Sequence, residues 1–298
     1  ESEADGLDIS VLAVVPDETP YRGILQLVHG MSEYKERYLP FMEYMAKRGY
    51  VCVIHDHRGH GKSVRAMDDL GYMYGGGADA ILKDIEVVNR EMHQQLPDLP
   101  LILFGHSMGS FLLRTYLYTY PDAVDKAVIS GTGWEDPMKV RMGKLVCKLE
   151  QARIGEKNTS ALVTKLMFGS YNKAFGPVTS PNAWICSDDA VVAAYDADPL
   201  CGFDATVGLA RDLLTGVGMN EQPENLDKMN KQLPIMFISG CKDPVGGMAK
   251  GVLKCIDAFK RSGMKDITIK LYPEGRHEML NERNKAEVYQ DILDWLER

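Results

Sequence analysis

Short apolar runs alternate with longer segments of helical periodicity along most of the chain. Seven runs have the length and residue types of β-strands, at 7–15, 23–28, 50–54, 101–104, 127–129, 235–239 and 267–272. Most of these runs are apolar at nearly every position, which is typical of parallel strands that are covered on both faces. The alternation therefore predicts an α/β fold, with a mostly parallel central sheet flanked by helices.

Helical spacing of apolar residues fills most of the intervals between the strands, at about 36–48, 80–95, 108–120, 246–262 and 284–296. One long interval, from about 132 to 233, has helical patterns, at about 137–150, 161–168 and 205–218, but no convincing strand. We therefore expect a core formed by 1–131 and 205–298, with a helical cap at 132–204 inserted after the sixth strand. Such a cap would cover the carboxyl edge of the sheet, where open α/β sheets bind ligands.

The composition is that of an ordinary globular protein, since 45% of the 298 residues are hydrophobic and 26% are charged. The formal net charge of −8 argues against nucleic acid or an anionic membrane surface as a partner. No apolar run approaches the ~20 residues of a membrane span. We expect no stable membrane insertion, while transient contact with lipid stays open.

Six cysteines are scattered along the chain without a C-x-x-C pair: Cys52, Cys147, Cys186, Cys201, Cys241 and Cys255. We interpret them as free thiols, not as a disulfide framework or a zinc knuckle, which fits a reducing compartment. A cytoplasmic location is therefore expected. The chain begins without methionine, so a removed signal peptide or tag stays open.

The sequence G-H-S-M-G at 105–109 joins a predicted strand to a predicted helix. Small residues flank Ser107 because a strand-to-helix turn of this kind is tight and strained, and it presents the serine oxygen to a substrate. The alternative is a simple Gly-Ser turn that caps the helix. The context favours Ser107 as a nucleophile.

A serine hydroxyl needs a base that accepts its proton. His277, the only histidine in the second half of the chain, lies in the loop after the last predicted strand. Asp243 directly follows the preceding strand, and the order Ser107, Asp243, His277 is the one expected of a triad on such a sheet. Asp243 could instead cap the next helix, and Asp198 and Asp204 are fallback acids. A surface or capping role is the alternative for His277.

The oxyanion of acyl transfer needs two donors aimed at it in advance. We expect one from the backbone N–H of Met108 and the other from that of Met31, in the loop after the strand at 23–28. Glu33 and Arg37 are spaced i, i+4 and could pair to steady this loop. A solvated surface pair is the alternative.

Three histidines in six residues, His55, His57 and His60, raise the possibility of a zinc site. Arg58 and Gly59 interrupt the ligand pattern, and a cationic neighbour works against a divalent cation. We therefore expect hydrogen bonding within a loop near the active site, and neither a metal nor a cofactor.

Five motifs together resemble one known family. They are H-G-M-S-E-Y-K-E-R-Y (29–38), D-H-R-G-H-G-K-S (56–63), G-H-S-M-G-S (105–110), D-P-L (198–200) and G-R-H-E (275–278). The set is similar to the monoacylglycerol lipase and lysophospholipase-like branch of the α/β-hydrolases, from position 24 to the C-terminus and most weakly in the cap.

This resemblance implies the α/β-hydrolase fold and the hydrolysis of single-acyl-chain esters through an acyl-enzyme, without a cofactor. It implies that the nucleophile, acid and base of the triad are Ser107, Asp243 and His277, and that the oxyanion amides are those of Met31 and Met108. The chain departs from its relatives at Met31, where a small residue is common. It also departs at Tyr34, where glyceride lipases often carry histidine. The resemblance is therefore a poor guide to the alcohol part of the substrate.

The expected partner is a small-molecule acyl ester. Five residues of the predicted cap are candidates for substrate binding: Trp134, Met138, Met142, Phe168 and Trp184. Clustered methionine and aromatic side chains can line an adaptable acyl pocket. They could equally form the ordinary core of a small helical cap.

Two other functions stay open. A peptidase or amidase could use the same triad, and an aminopeptidase would need acidic residues near the site for the substrate amine. Glu135, Asp136, Asp188 and Asp189 leave that open. A non-catalytic ligand-binding protein on this fold is the second alternative, although no member of the triad is missing.

Overall fold

The computed structural model describes residues 1–298. Its centre is a seven-stranded sheet with the order β1-β3-β2-β4-β5-β6-β7. The strands are β1 (Val11–Val14), β2 (Gly23–Val28), β3 (Tyr50–His55), β4 (Leu101–His106), β5 (Lys126–Ser130), β6 (Ile235–Gly240) and β7 (Ile267–Tyr272). Only β1 is antiparallel to its neighbour, and all other pairs are parallel. The predicted, mostly parallel sheet is therefore confirmed.

Ten α-helices surround the sheet or lie at its carboxyl edge. They are α1 (Leu39–Ala46), α2 (Gly77–Gln95), α3 (Met108–Thr119), α4 (Pro137–Ile154), α5 (Ala161–Phe168), α6 (Asp189–Ala197), α7 (Val207–Asn220), α8 (Pro223–Leu226), α9 (Lys250–Arg261) and α10 (Lys285–Leu296). Most helices begin and end close to where the periodicity placed them, whereas α6 and α8 were not predicted and α9 begins later than predicted.

The sheet has a separate apolar core on each face, because side chains alternate along a strand. On β2, Ile24 and Val28 pack with α2, α3 and α9, whereas Leu25 and Leu27 pack with α1 and α10. All six residues of β2 are buried. This double coverage explains why the parallel strands are continuous apolar runs in the sequence.

Helix α9 begins at Lys250, four residues later than predicted. Gly247, Met248 and Ala249 all have positive φ values of 60°, 54° and 68°. A right-handed helix cannot pass through such a run. The segment from Asp243 to Ala249 is therefore a turn that leads from β6 to the helix.

Three helices, α4, α5 and α6, lie between β5 and α7, and we call residues 132–204 the cap segment. They follow β5, so the prediction that the cap is inserted after the sixth strand is wrong, and it is inserted after the fifth. The boundaries of the cap segment as a domain stay a prediction. Helix α7 packs against both α3 and α4, so it joins the cap segment to the core. No helix combines the length and the apolar character required to cross a membrane.

Candidate active site

Ser107 lies at the sharp turn between β4 and α3. Its backbone has φ 54° and ψ −122°, outside the regions that non-glycine residues normally adopt. The flanking glycines make this turn possible, because a Cβ atom at Gly109 would overlap the carbonyl oxygen of Val28 and one at Gly105 would overlap that of Gly109. The elbow predicted from G-H-S-M-G is thus a strained turn pressed against the sheet.

The structure brings His277 and Asp243 together at the carboxyl edge. Nδ1 of His277 lies 3.0 Å from Oδ2 of Asp243, and both side chains are buried. Oδ1 of Asp243 accepts a hydrogen bond of 2.8 Å from the Val245 N–H. Because the residue that caps α9 is Ala249, Asp243 does not serve as that helix's N-cap.

The other ring nitrogen of His277 has no hydrogen-bond partner in the protein. Nε2 is buried, and the ring packs at 4.7 Å between centroids against His106, the residue before Ser107. Burial acts to lower the pKa of His277, but the charge and hydrogen bond of Asp243 outweigh it and the pKa is raised above its ordinary value. The imidazole is oriented on one side and free to exchange a proton on the other.

The fallback acids do not reach the histidine. Asp198 accepts hydrogen bonds from the Tyr34 hydroxyl, at 2.7 Å, and from the Leu200 N–H, at 2.9 Å. Asp204 is exposed at the end of the cap segment. Asp243 is therefore the carboxylate that contacts His277.

The loop after β2 lies directly beside the elbow. A Cβ atom at Gly30 would be 3.1 Å from the Cβ of Ser107. The N–H of Met31 has no acceptor within the protein, and Met108 begins α3, so the helix gives its N–H no intrahelical acceptor. Two unused backbone donors therefore flank the serine.

A buried cluster of charged side chains, Glu33, Arg37 and Glu278, braces this loop. Glu33 accepts hydrogen bonds from the Gly30 N–H (2.6 Å), the Tyr38 hydroxyl (2.8 Å) and Arg37 (2.6 Å). Arg37 also makes a bidentate pair with Glu278, with both distances 2.7 Å. Burial acts to raise the pKa of Glu278, but Arg37 lowers it on balance. The predicted Glu33–Arg37 pair therefore exists, and it is buried, not solvated.

Glu278 and Tyr195 also belong to the site, although neither was expected there from the sequence. Glu278 directly follows His277, so the cluster joins the loop beside the serine to the histidine loop. Tyr195, on α6, places its ring 4.8 Å from the Arg37 guanidinium and donates a hydrogen bond of 2.8 Å to the Ser32 carbonyl. The G-R-H-E motif contains Glu278 and so gave a signal for it, whereas nothing in the sequence indicated Tyr195.

The cap segment contributes an aromatic group formed by Phe168, Tyr171 and Trp184. The Trp184 ring lies 5.0 Å from that of His277. Phe168 stacks on Trp184 at 6.2 Å with an interplanar angle of 19°, and Tyr171 meets the indole edge-on at 4.9 Å. Of the five predicted substrate-binding residues, Trp184 thus lies next to the histidine and Phe168 lies next to Trp184.

The other three candidates lie elsewhere. Met138 and Met142 are 66% and 53% exposed on the outer face of α4, so the structure does not bring them to the site. Helical spacing alone could not show which face of α4 turns outward. Trp134 is partly buried and packs against the core, 6.0 Å from Arg114.

The histidines near position 57 form a buried group with His29, in which His57 alone hydrogen-bonds to His29 and both ring nitrogens of His55 lack a partner. His29 Nε2 accepts from the His57 N–H at 2.9 Å, and the His57 ring lies 3.0 Å from the His29 carbonyl oxygen. Burial lowers the pKa of His55 and that of His60 to about 4. No group of three or more His, Cys, Asp or Glu side chains is arranged to hold a metal ion. These imidazoles are neutral packing groups behind the loop that carries Met31.

Comparison with known proteins gives the family of the chain. The model of the family described as serine aminopeptidase, S33, matches residues 19–284. A monoacylglycerol lipase of Mycolicibacterium smegmatis is 27% identical, over 94% of this chain and 90% of that protein. A mouse monoglyceride lipase is 25% identical, over 97% of this chain and 86% of that protein.

The fold has equally extensive counterparts among solved structures. A highly thermostable carboxyl esterase from Bacillus coagulans, solved in complex with glycerol, superposes with a TM-score of 0.92. The match covers 100% of this chain and 96% of that one, at 27% identity. The chain therefore belongs to the serine aminopeptidase S33 family of α/β-hydrolases, and it is a serine hydrolase of the esterase and lipase type.

Proposed function

We propose that the chain hydrolyses carboxylic esters with a single acyl chain, of the monoacylglycerol or lysophospholipid kind, through an acyl-enzyme on Ser107. The observation that carries the proposal is the state of His277. It is held at Nδ1 by Asp243, while Nε2 is buried beside the serine elbow without a partner. The names of the relatives, a monoacylglycerol lipase and a monoglyceride lipase, support the substrate class.

In the first step, the Ser107 hydroxyl attacks the ester carbonyl while Nε2 of His277 accepts the hydroxyl proton. Asp243 fixes the tautomer with the proton on Nδ1 and stabilises the imidazolium that forms. The carbonyl oxygen becomes an oxyanion, and the backbone N–H groups of Met31 and Met108 donate hydrogen bonds to it. Collapse of this intermediate breaks the bond to the alcohol, which leaves with the proton from His277.

In the second step, water replaces the alcohol. Nε2 of His277 takes a proton from the water, whose oxygen attacks the acyl carbon of the Ser107 ester. The same two amides stabilise the second oxyanion. Its collapse releases the carboxylic acid and returns the proton to the serine, so one water is consumed for each ester cleaved.

The Glu33–Arg37–Glu278 cluster positions the groups that react. Glu33 holds the N–H of Gly30, one residue before the Met31 donor, and Arg37 ties Glu33 to the residue after His277. An oxyanion hole works when its donors are fixed before charge develops. We assign Glu33 and Arg37 as positioning residues.

The aromatic group supports an apolar substituent on the ester. Trp184 contacts the face of the general base, and Phe168 and Tyr171 extend the same apolar wall. Such a wall excludes water from the imidazole and offers dispersion contacts to an acyl chain. We propose Trp184 and Phe168 as substrate-binding residues.

An aminopeptidase is the second candidate, because the family description names that activity. It would need free carboxylates to hold the substrate amine. Asp136 and Asp188 instead accept hydrogen bonds from the first N–H groups of α4 and α6, as helix caps. Asp189 is exposed in the first turn of α6. Three of the four acidic residues named for a peptidase are therefore helix caps or exposed. Glu135 makes no side-chain hydrogen bond and is the one left for a substrate amine, so the preference for the ester rests on the names of the relatives.

Hydrolysis rates on p-nitrophenyl esters from acetyl to palmitoyl, beside an amino-acid p-nitroanilide, test the reaction. Ester turnover should exceed anilide turnover, and Ser107→Ala should lose at least about 10³-fold because no nucleophile remains. Ser262→Ala, at the end of α9 and remote from the site, should retain full activity. Faster anilide turnover would favour the peptidase, and an active Ser107→Ala enzyme would refute the nucleophile.

The pH profile of kcat/KM tests the pairing of His277 with Asp243. The base acts when neutral, so activity should fall as the pH drops through an inflection above the ordinary histidine value of about 6.5. Asp243→Asn removes the charge that raises this pKa. It should move the inflection to lower pH and reduce kcat by about 10⁴-fold. An unmoved inflection in this variant would contradict the assignment of Asp243.

Glu33→Gln tests the positioning cluster. The amide can still accept a hydrogen bond from Gly30, but it no longer neutralises Arg37, so the loop that carries Met31 should lose its fixed position. We expect kcat to fall by about 10- to 100-fold with little change in KM, because an oxyanion donor acts in the transition state. Glu36→Gln, in the same loop but partly exposed, is the matched control. Equal losses in both variants, or a change in KM alone, would refute the role of Glu33.

A further inference from the structure

An apolar cavity of about 320 Å³ lies between α2, α3 and α7. Its inner wall is buried and is formed by Met73, Ile81, Leu82, Met108 and Leu112. The aromatic group beside His277 does not line it. The volume is about twice that of the engineered cavity that binds benzene, and it falls in the range of small-molecule pockets.

The outer rim of the cavity is polar and carries no cation. Asp79 and Thr119 are exposed there, beside the hydroxyls of Tyr118 and Thr115. Asp212 also lines the cavity, with its carboxylate engaged by the Nε of Arg211 at 2.8 Å. No lysine, arginine or histidine is among the lining residues. A carboxylate or phosphate would meet Asp79 without a compensating charge.

We propose that this cavity binds a single alkyl chain with an uncharged, hydroxylated head group. The chain lies against Met108 and Leu112 on the wall of α3 and against Leu209 of α7. The hydroxyls of the head group donate hydrogen bonds at the rim to the Asp79 carboxylate and to the hydroxyl oxygens of Thr115 and Thr119, whose own protons are donated to carbonyls of α3. The cavity shares no residue with the aromatic group at Trp184, and Met108 is its one residue in common with the proposed active site. Binding in it does not depend on the proposed reaction.

Gly216 allows the cavity to be filled without disturbing the fold. Leu209, Asp212, Leu213 and Gly216 are spaced by three or four residues on α7, so they share one helix face, and all of them line the cavity. A Cβ atom at Gly216 would meet no atom within 4 Å. Gly216→Leu therefore places a side chain in the cavity, while Gly216→Ala makes the same gain in helix propensity and leaves most of the cavity open.

NMR of protein with ¹³C-methyl methionine tests the proposal, with 1-O-dodecylglycerol added below its micelle concentration as a non-hydrolysable probe. We expect saturable shifts at Met73 and Met219, which line the cavity, and none at Met138 or Met142, which are exposed on α4. Dodecanoate should bind at least ten-fold more weakly. Gly216→Leu should weaken binding of the glycerol ether at least ten-fold, and Gly216→Ala less than two-fold.

Three results would overturn the proposal. They are the absence of saturable shifts at Met73 and Met219, equal binding of dodecanoate, and shifts that persist unchanged in Gly216→Leu. Should Gly216→Leu lower the melting temperature, Ala78→Leu fills the same cavity from α2 and must give the same loss of binding.

Discussion

Arg37 lies largely buried, with 13% of its side chain exposed, between two carboxylates that belong to different loops. The relative position of the proposed catalytic groups depends on it. Glu33 carries the loop of the Met31 donor, and Glu278 follows His277 in the loop of the base. Burying such charges has a desolvation cost that is offset only when every member of the cluster is hydrogen-bonded. Here both carboxylates accept further hydrogen bonds, from Gly30 and from Asn281. Losing one partner typically costs about 3–5 kcal/mol, so the two loops are fixed together.

The strained elbow is the second constraint, and the rigid sheet supports it. A non-glycine residue in such a backbone conformation costs on the order of 1–3 kcal/mol. Ser107 is held there because α3 presses against the end of β2 through Gly109, and the strands β2 and β4 are buried on both faces. The proposed nucleophile, base and oxyanion donors thus lie on elements that cannot relax independently. This preorganisation is what electrostatic stabilisation of an oxyanion requires.

Much of the fold could be predicted from the sequence because parallel strands and amphipathic helices have distinct periodicities. The strands β2 and β7 and the helix α5 begin and end where the periodicity placed them. The cap segment was harder. Helix α6 was missed although α5, which buries only Val163, was placed correctly, because four of the nine residues of α6 are alanines. A short helix of this kind leaves a weak apolar pattern.

The residues of the site also fall into two groups, those that a local sequence pattern could predict and those that it could not. Ser107, Asp243 and His277 each follow a strand, so local pattern and chain order were enough to select them, and their catalytic roles stay predictions. Glu278 stands in the G-R-H-E motif, but its pairing with Arg37, like the contacts of Tyr195, joins segments far apart in sequence, which no local pattern encodes. The outward position of Met138 and Met142 likewise depends on how α4 packs against α7.

Reaction with a fluorophosphonate, followed by mass spectrometry of the intact protein and of its peptides, tests the central claim most directly. A serine activated by His277 forms a covalent phosphonyl ester, whereas an ordinary serine does not. The account predicts a single adduct, on Ser107, that forms on the native protein and is absent in Ser107→Ala and in denatured protein. An unmodified native protein, or an adduct on another residue, would contradict it.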